Sequence, residues 1–180
     1  SEYQRQGFPD LRFVGTIPNA VDVEHQPFSA EKDDYFLFIG RMTPDKGADI
    51  AIEVARRLGK RLIMAGKVNE GPEREYFARA VEPYLADDIH FRGEVDHETK
   101  AELYKRARCT LFPIRWPEPF GLVLIEAMAC GTPVIAFRHG SVPEVIEHGR
   151  TGFIVDTVDE MVAAAKRIDE LDPAECRRAA

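Results

Sequence analysis

Short apolar runs alternate with longer amphipathic segments along most of this chain. Each run is rich in branched or aromatic residues and is bounded by charge, glycine or proline, which is typical of buried strands. The segments between them repeat apolar residues at helical spacing. The predicted strands are 35–39, 61–65, 89–91, 109–112, 133–137 and 153–155. The predicted helices are 47–58, 72–85, 97–106, a helix that begins at Gly121, 142–147 and 158–171.

This alternation predicts an α/β fold with a doubly wound, Rossmann-like parallel sheet. Parallel strands need crossover connections, and helices on both faces of the sheet explain why the strands are almost wholly apolar. With 180 residues, 44% of them hydrophobic, the chain has the size of one large domain. Residues 1–30 differ, since they hold several prolines and glycines. We interpret 1–30 as a connector partly ordered by docking on the sheet, and 31–180 as the domain.

Charge and composition limit the partners of this chain. The formal net charge is −7 and the sequence pI is about 5.3, which argues against nucleic acid or an anionic membrane as the main partner. Any phosphate site must therefore be a local cationic spot. No apolar run approaches the roughly 20 residues of a membrane span, and no signal peptide opens the chain. We expect a soluble, cytoplasmic domain.

The cysteines are odd in number and lack C-x-x-C spacing. Cys109 and Cys130 lie in apolar surroundings, and Cys176 completes the three. We interpret them as small buried side chains of a reducing compartment.

A loop with two cations follows the first predicted strand. Gly40 and Gly47 flank it, and Arg41 and Lys46 lie five positions apart within it. The loop matches neither the G-x-G-x-x-G dinucleotide fingerprint nor the phosphate loop that ends in Gly-Lys-Ser/Thr, so both of those classes are disfavoured. An arginine fork with a mobile ammonium suits a diphosphate. For the loop taken alone, two solvated surface charges are the alternative.

Two carboxylates bracket the predicted start of a later helix. Pro119 and Gly121 argue against a continuous helix through Glu118, so Glu118 is expected on the entering loop and Glu126 inside the helix. The free amides and positive dipole of a helix N-terminus attract phosphate, and a residue five positions further lies about 7–8 Å deeper along the axis. Phosphate at the helix tip with ribose beside Glu126 is feasible. For either acid alone, simple electrostatics at a helix end is the alternative.

Nothing in the sequence predicts a metal site. The five histidines are scattered without ligand spacing, and no D-x-D motif occurs. A metal-bridged diphosphate is therefore disfavoured. The segment 139–141 is interpreted as a surface loop, with a place in the cleft wall as its alternative. For Trp116, cleft wall and packed loop residue both stay open.

Several motifs follow one another in a characteristic order. They are Gly40-Arg41 with Lys46-Gly47, Glu118-Pro119-Phe120-Gly121-Leu122, Glu126-Ala127-Met128-Ala129-Cys130-Gly131-Thr132-Pro133-Val134, Pro143-Glu144-Val145-Ile146 and Gly149-Arg150-Thr151-Gly152-Phe153-Ile154-Val155. Over roughly 34–171 the chain resembles the nucleotide-sugar half of a glycosyltransferase group 1 protein, also called family 4. The resemblance implies the GT-B fold and transfer that retains anomeric configuration.

The resemblance implies a role for each residue singled out above. Glu126 would accept hydrogen bonds from the ribose, and Glu118 would contact the donor sugar beside its anomeric carbon. Arg41 and Lys46 would neutralise the leaving diphosphate, so the predicted catalytic residues are Glu118, Arg41 and Lys46. The predicted donor-binding residues are Gly40, Arg41, Lys46, Gly93, Val95, Glu118, Phe120, Gly121, Leu122 and Glu126. Among these, 120–122 would offer backbone amides, and 92–95 would line the base pocket.

The implied donor is a nucleoside diphosphate sugar linked to uridine, guanosine or adenosine, with no further cofactor. The acceptor, a sugar, lipid or other small molecule, would bind a missing N-terminal domain that also holds the family's catalytic histidine. Residues 1–30 would end that domain, although Ala20 stands where the family's hinge motif usually has glycine. We therefore expect donor binding but little or no transfer by this chain alone. Any peripheral membrane contact would run through the missing domain.

Two other functions stay open at this point. One is a sugar phosphorylase or nucleotide-sugar epimerase built on the same half-fold. The other is a non-catalytic nucleotide-binding module. Product analysis separates the first from a transferase, and nucleotide titration separates the second.

Overall fold

A six-stranded, fully parallel sheet runs through the computed structural model, which describes residues 1–86 and 88–180. The strands are β1 (Tyr35–Ile39), β2 (Arg61–Ala65), β3 (Ile89–Phe91), β4 (Cys109–Phe112), β5 (Val134–Phe137) and β6 (Gly152–Val155). Their order across the sheet is β3-β2-β1-β4-β5-β6. This is the order of the doubly wound Rossmann-like fold, so the predicted fold class is confirmed.

Helices cover both faces of this sheet. They are α1 (Glu2–Gln6), α2 (Ala48–Leu58), α3 (Pro72–Ala80), α4 (His97–Arg106), α5 (Leu122–Ala129), α6 (Val142–Val145), α7 (Val158–Lys166) and α8 (Pro173–Ala179). On one face α2 packs against α7, and on the other α5 packs against α4 and α8. None of the helices in the described ranges is long and apolar enough to cross a membrane.

The central strands form because their side chains can be buried on both faces. In β1, Tyr35 to Phe38 are all buried, and Leu37 pairs with Ile63 of β2 on one side and Thr110 of β4 on the other. A strand with helices above and below it has no polar face, which is why the apolar runs predicted the strands so directly.

Two predicted helices end earlier than their apolar spacing indicated. The helix expected over 72–85 ends at Ala80, and a separate 3-10 turn follows over Glu82–Tyr84. Pro83 lacks an amide proton and its ring would collide with the preceding turn, so the α-helix cannot continue through it. The helix expected over 158–171 ends at Lys166, and a 3-10 turn over Ile168–Glu170 lets Ile168 turn into the core.

Residues 1–30 are held at a few points. Arg177 of α8, a helix that the apolar pattern did not predict, donates to the carbonyl oxygens of Val23 and Gln26. The Phe28 ring lies against Gly131, and the amides of Glu2 and Tyr3 donate to the Glu144 carboxylate. Several apolar side chains of the segment are exposed, among them Val14 and Ile17.

The chain reverses its direction of progress across the sheet between β1 and β4. β1 pairs with β2 on one side and with β4 on the other, so the loops that leave β1 and β4 diverge toward opposite faces. In open α/β sheets this switch point opens a crevice at the carboxyl ends of the strands. The loop 40–47 and the loop 113–121 border that crevice.

Candidate functional site

The two loops at the switch point touch directly. Gly47, at the start of α2, has φ of +78°, and a Cβ atom there would lie 2.3 Å from the Pro113 carbonyl oxygen. Only glycine permits this approach and this backbone angle. Arg115 ties the loops further, because its amide donates to the Asp45 carbonyl at 2.7 Å and its guanidinium binds Asp49. The β1–α2 loop is thereby placed against the β4–α5 loop.

A cavity of about 290 Å³ opens between these loops. Lys46 and Glu118 meet in it, with Lys46 Nζ 2.7 Å from Glu118 Oε2 and both side chains less than one-fifth exposed. The cavity brings together six of the predicted site residues: Gly40, Lys46, Glu118, Phe120, Gly121 and Leu122.

Trp116 completes the surroundings of Glu118. Its indole Nε1 donates to Glu118 Oε2 at 3.0 Å, and the Lys46 ammonium lies 5.0 Å from the ring centroid. Lys46 and the indole therefore share one carboxylate oxygen. Trp116 thus contacts Glu118 without lining the cavity itself, and both interpretations of it stay open.

The N-terminus of α5 points its free amides at the cavity rim. Gly121 precedes the helix with φ of +84°, and a Cβ there would lie 2.9 Å from Leu124 Cδ1. Glycine has no side chain to cap the helix, and no other described side chain caps it. The Leu124 amide already donates to the Gly121 carbonyl oxygen, whereas the amides of 121–123 remain donors that an anion can use.

The backbone of Glu118 is fixed from the other side. The amide of Ser141 donates to the Glu118 carbonyl oxygen at 2.9 Å. Ser141 is fully buried, so the segment 139–141 is not simply the surface loop expected from the sequence. Ser141 precedes α6 and holds the loop that carries Glu118 through this backbone hydrogen bond.

Arg41 lies outside this cavity. Its Nη1 is 3.3 Å from Glu73 Oε1 of α3, and its side chain is 56% exposed. The structure thus brings Lys46, but not Arg41, to Glu118. Because the Arg41 side chain itself is half exposed, water can solvate its guanidinium when it leaves Glu73.

Glu126 lies one turn into α5, away from the cavity lining. Lys100 Nζ is 2.6 Å from its Oε1, and the Tyr104 hydroxyl is 3.1 Å from its Oε2. Burial, and after it the charge of Glu126, raises the pKa of Tyr104 well above its usual range, so the phenol stays a hydrogen-bond donor.

Gly93 and Val95 follow β3, which is separated from β4 by the two strands β2 and β1. The Gly93 carbonyl oxygen accepts from the amide of Gly66 at 2.8 Å, and both Gly93 and Val95 are partly exposed. They lie on the same edge of the sheet as the cavity but do not line it.

Sequence reasoning missed three residues of this region. Asn19 lines the cavity, whereas Lys100 and Tyr104 hold Glu126. Asn19 lies in the segment 17–22, whose resemblance to a hinge motif was the signal that could have found it. For Lys100 and Tyr104 there was no such signal, because their contact with α5 depends on how α4 packs. The described residues contain no cluster of side chains able to hold a metal ion.

Taken together, the fold and the cavity define a Rossmann-like domain whose switch point holds a lysine–glutamate pair beside a helix N-terminus. Comparison with known sequences then identifies the family. The model of the family "Glycosyl transferases group 1" matches residues 22–178, so this chain belongs to that family and the recognition from its motifs is confirmed.

Curated and solved relatives agree with this assignment. The chain is 32% identical to the glycogen synthase of Mycobacterium tuberculosis over 96% of its own length and 43% of that protein. AviGT4, a glycosyltransferase involved in avilamycin A biosynthesis, superposes with a TM-score of 0.83 at 28% identity, over 99% of this chain and 55% of that one.

A third relative is similar in fold alone. Anabaena HepE, solved in complex with UDP and glucose, has a TM-score of 0.68 at 23% identity, covering 81% of this chain and 42% of that one. The chain thus spans about half the length of the proteins it resembles, and its fold is that of one half of a GT-B glycosyltransferase.

Proposed function

We propose that this chain is the donor-binding half of a retaining glycosyltransferase, and that its cavity binds a nucleoside diphosphate sugar. The observation that carries the proposal is the Lys46–Glu118 pair, held in a cavity at the N-terminus of α5. A cation and free helix amides suit the diphosphate, while a carboxylate suits sugar hydroxyls.

In the proposed reaction, the bond between the anomeric carbon and the diphosphate oxygen breaks, the oxygen of an acceptor hydroxyl forms the new glycosidic bond, and the proton of that hydroxyl leaves with the diphosphate. Negative charge grows on the departing diphosphate. Lys46 and the amides of 121–123 would stabilise that charge more strongly in the transition state than in the bound donor, which is what lowers the barrier. Arg41 would turn from Glu73 to join them.

Glu118 would contact the hydroxyls of the donor sugar, since its carboxylate is held by Lys46 and Trp116 and its backbone carbonyl by the Ser141 amide. Ribose beside Glu126 and the base near Gly93 and Val95 would extend the donor along the edge of the sheet. The acceptor and the remaining catalytic groups would come from outside these 180 residues. Donor binding with little transfer is therefore the expected behaviour.

The chain provides its own probe for this proposal. Trp116 is its single tryptophan and contacts Glu118, so its fluorescence should respond when the cavity fills. We would titrate the chain with UDP, GDP and ADP, each with and without an attached glucose. Saturable binding of one diphosphate, tighter with its sugar, supports the proposal.

Other outcomes would point elsewhere. No response and no heat with any of the six compounds at millimolar levels would favour a non-catalytic module. In the full-length protein, release of sugar 1-phosphate from a glycoside and inorganic phosphate would identify a phosphorylase, and an isomeric nucleotide sugar would identify an epimerase.

A further inference from the structure

Among the residues that the structure describes, the Glu126 carboxylate has two hydrogen-bond partners, both on α4. Lys100 and Tyr104 are four positions apart, so they lie on the same face of that helix, one turn above the other. The ammonium binds one carboxylate oxygen and the phenol the other. Tyr104 is only 1% exposed, and the Lys100 and Glu126 side chains are 25% and 15% exposed.

These two contacts leave acceptor positions on the Glu126 carboxylate unoccupied. Each ionised carboxylate oxygen can accept about two hydrogen bonds, so each oxygen of Glu126 keeps one acceptor position. Two positions on neighbouring oxygens match the two adjacent hydroxyls of a ribose. Because the lysine and tyrosine grip different oxygens, they also fix the rotation of the carboxylate group.

We propose that Lys100 and Tyr104 are positioning residues that make the site select ribose over 2′-deoxyribose, acting through Glu126. The inference rests on the proposed function, in which Glu126 meets the nucleoside. A carboxylate that is free to rotate loses conformational entropy when it binds both hydroxyls, and this weakens binding. A carboxylate that is already held in place loses little.

The test compares each of UDP, GDP and ADP with its 2′-deoxy counterpart, by calorimetry on the full chain. Lys100→Met should lower the ratio of ribose to deoxyribose affinity by about two- to tenfold, the change expected when one more side chain must be ordered on binding. Affinity for the deoxy compound should stay within about twofold of the parent, because that compound lacks one of the hydroxyls that Glu126 reads. Lys100→Arg should restore most of the ratio.

Lys105→Met is the matched control. Lys105 lies on the same helix, has the same 25% side-chain exposure, and is paired with Glu102, which has no part in the site. Its removal should leave the ratio unchanged. Tyr104→Phe keeps the buried ring and removes only the hydroxyl. It should also lower the ratio, and it tests the inference independently if Lys100→Met folds poorly.

The outcomes separate this inference from the function on which it rests. If Glu126→Gln lowers the ratio but neither Lys100→Met nor Tyr104→Phe does, the positioning role is overturned and the proposed function stands. Equal losses for ribose and deoxyribose compounds in Lys100→Met would also overturn it, since they would indicate a general charge effect. If Glu126→Gln leaves the ratio unchanged, the ribose contact itself is wrong, and with it the positioning role.

Discussion

At the scale of single residues, the site depends on Glu118, which has two side-chain contacts and one backbone contact. Glu118 receives Lys46 and Trp116 on its side chain and Ser141 on its backbone. Lys46 is therefore shared between a protein partner and the proposed diphosphate. The two roles are compatible, because an ammonium has three donors and Glu118 occupies one of them.

Replacing Lys46 with alanine should weaken diphosphate binding by about 10- to 100-fold, since a charge-assisted hydrogen bond contributes about 1.5–3 kcal/mol. Calorimetric titration with the tightest-binding diphosphate measures the change. Lys166→Ala is the control, because Lys166 is exposed on α7, far from the crevice. If Lys46→Ala binds the diphosphate as tightly as the parent does, the diphosphate does not bind in this cavity.

Replacing Glu118 with glutamine should separate the sugar from the nucleotide. The sugar-linked diphosphate should lose about tenfold in affinity or more, because a charged acceptor is lost. The free diphosphate should bind as well as to the parent or better, because Lys46 is released from its partner. Glu170→Gln, in an exposed pair with Arg167, serves as the comparison. Equal losses for both ligands would contradict the proposed sugar contact.

At the scale of elements, the site exists because two βα loops are packed backbone to backbone. Gly47 lies against the Pro113 carbonyl, and Arg115 bonds Asp45 and Asp49 across the same seam. This packing sets the distance between α2, which follows Lys46, and the loop that carries Glu118. Any side chain inserted at Gly47 must widen the seam.

Gly47→Ala should lower the free energy of unfolding by about 2–4 kcal/mol, combining a strained left-handed backbone with a collision against a carbonyl oxygen. Gly59→Ala is the matched control, because Gly59 ends the same helix with φ of +60° but a Cβ there meets no atom within 4 Å. It should cost only about 1–2 kcal/mol. Urea denaturation measures both, and equal values would show that the seam is not tightly packed.

At the scale of the whole molecule, the sheet and its helices enclose a core that includes every cysteine. Cys109, Cys130 and Cys176 are buried and free of disulfides within the described ranges. Burial raises the pKa of Cys130 to about 11 and of Cys176 to about 12, and that of Cys109 still further. The neutral thiol is the form that the core accommodates.

The native protein should therefore resist thiol reagents. At about pH 8 a disulfide reagent should react with the three thiols only as fast as the chain opens, and at once in guanidinium chloride. Above the ordinary thiol pKa of 9.0 the unfolded chain loses thiol protons that the folded chain keeps, so the free energy of unfolding should fall as pH rises from there. Rapid labelling of the native chain would show that the core opens more readily than its packing indicates.

The strands could be read from the sequence because burial on both faces leaves a continuous apolar run. Two helices were predicted too long because apolar spacing continues past Ala80 and Lys166. At both places the α-helix ends and a 3-10 turn follows. The short helices α1 and α8 were not predicted, because so few turns give no periodic signal. The division at residue 30, the donor nucleotide and the cytoplasmic location stay predictions.

By itself, the sequence of this protein determined the alternation of strands and helices and the chemistry carried by each loop, since both depend on neighbours along the chain. Only the tertiary structure decided that β1 lies beside β4, and with it that Lys46 meets Glu118 while Arg41 turns to Glu73. It also decided that Lys100 and Tyr104 hold Glu126. These contacts join residues 22 to 72 positions apart, and local periodicity carries no information about which strands pair or which helix faces meet.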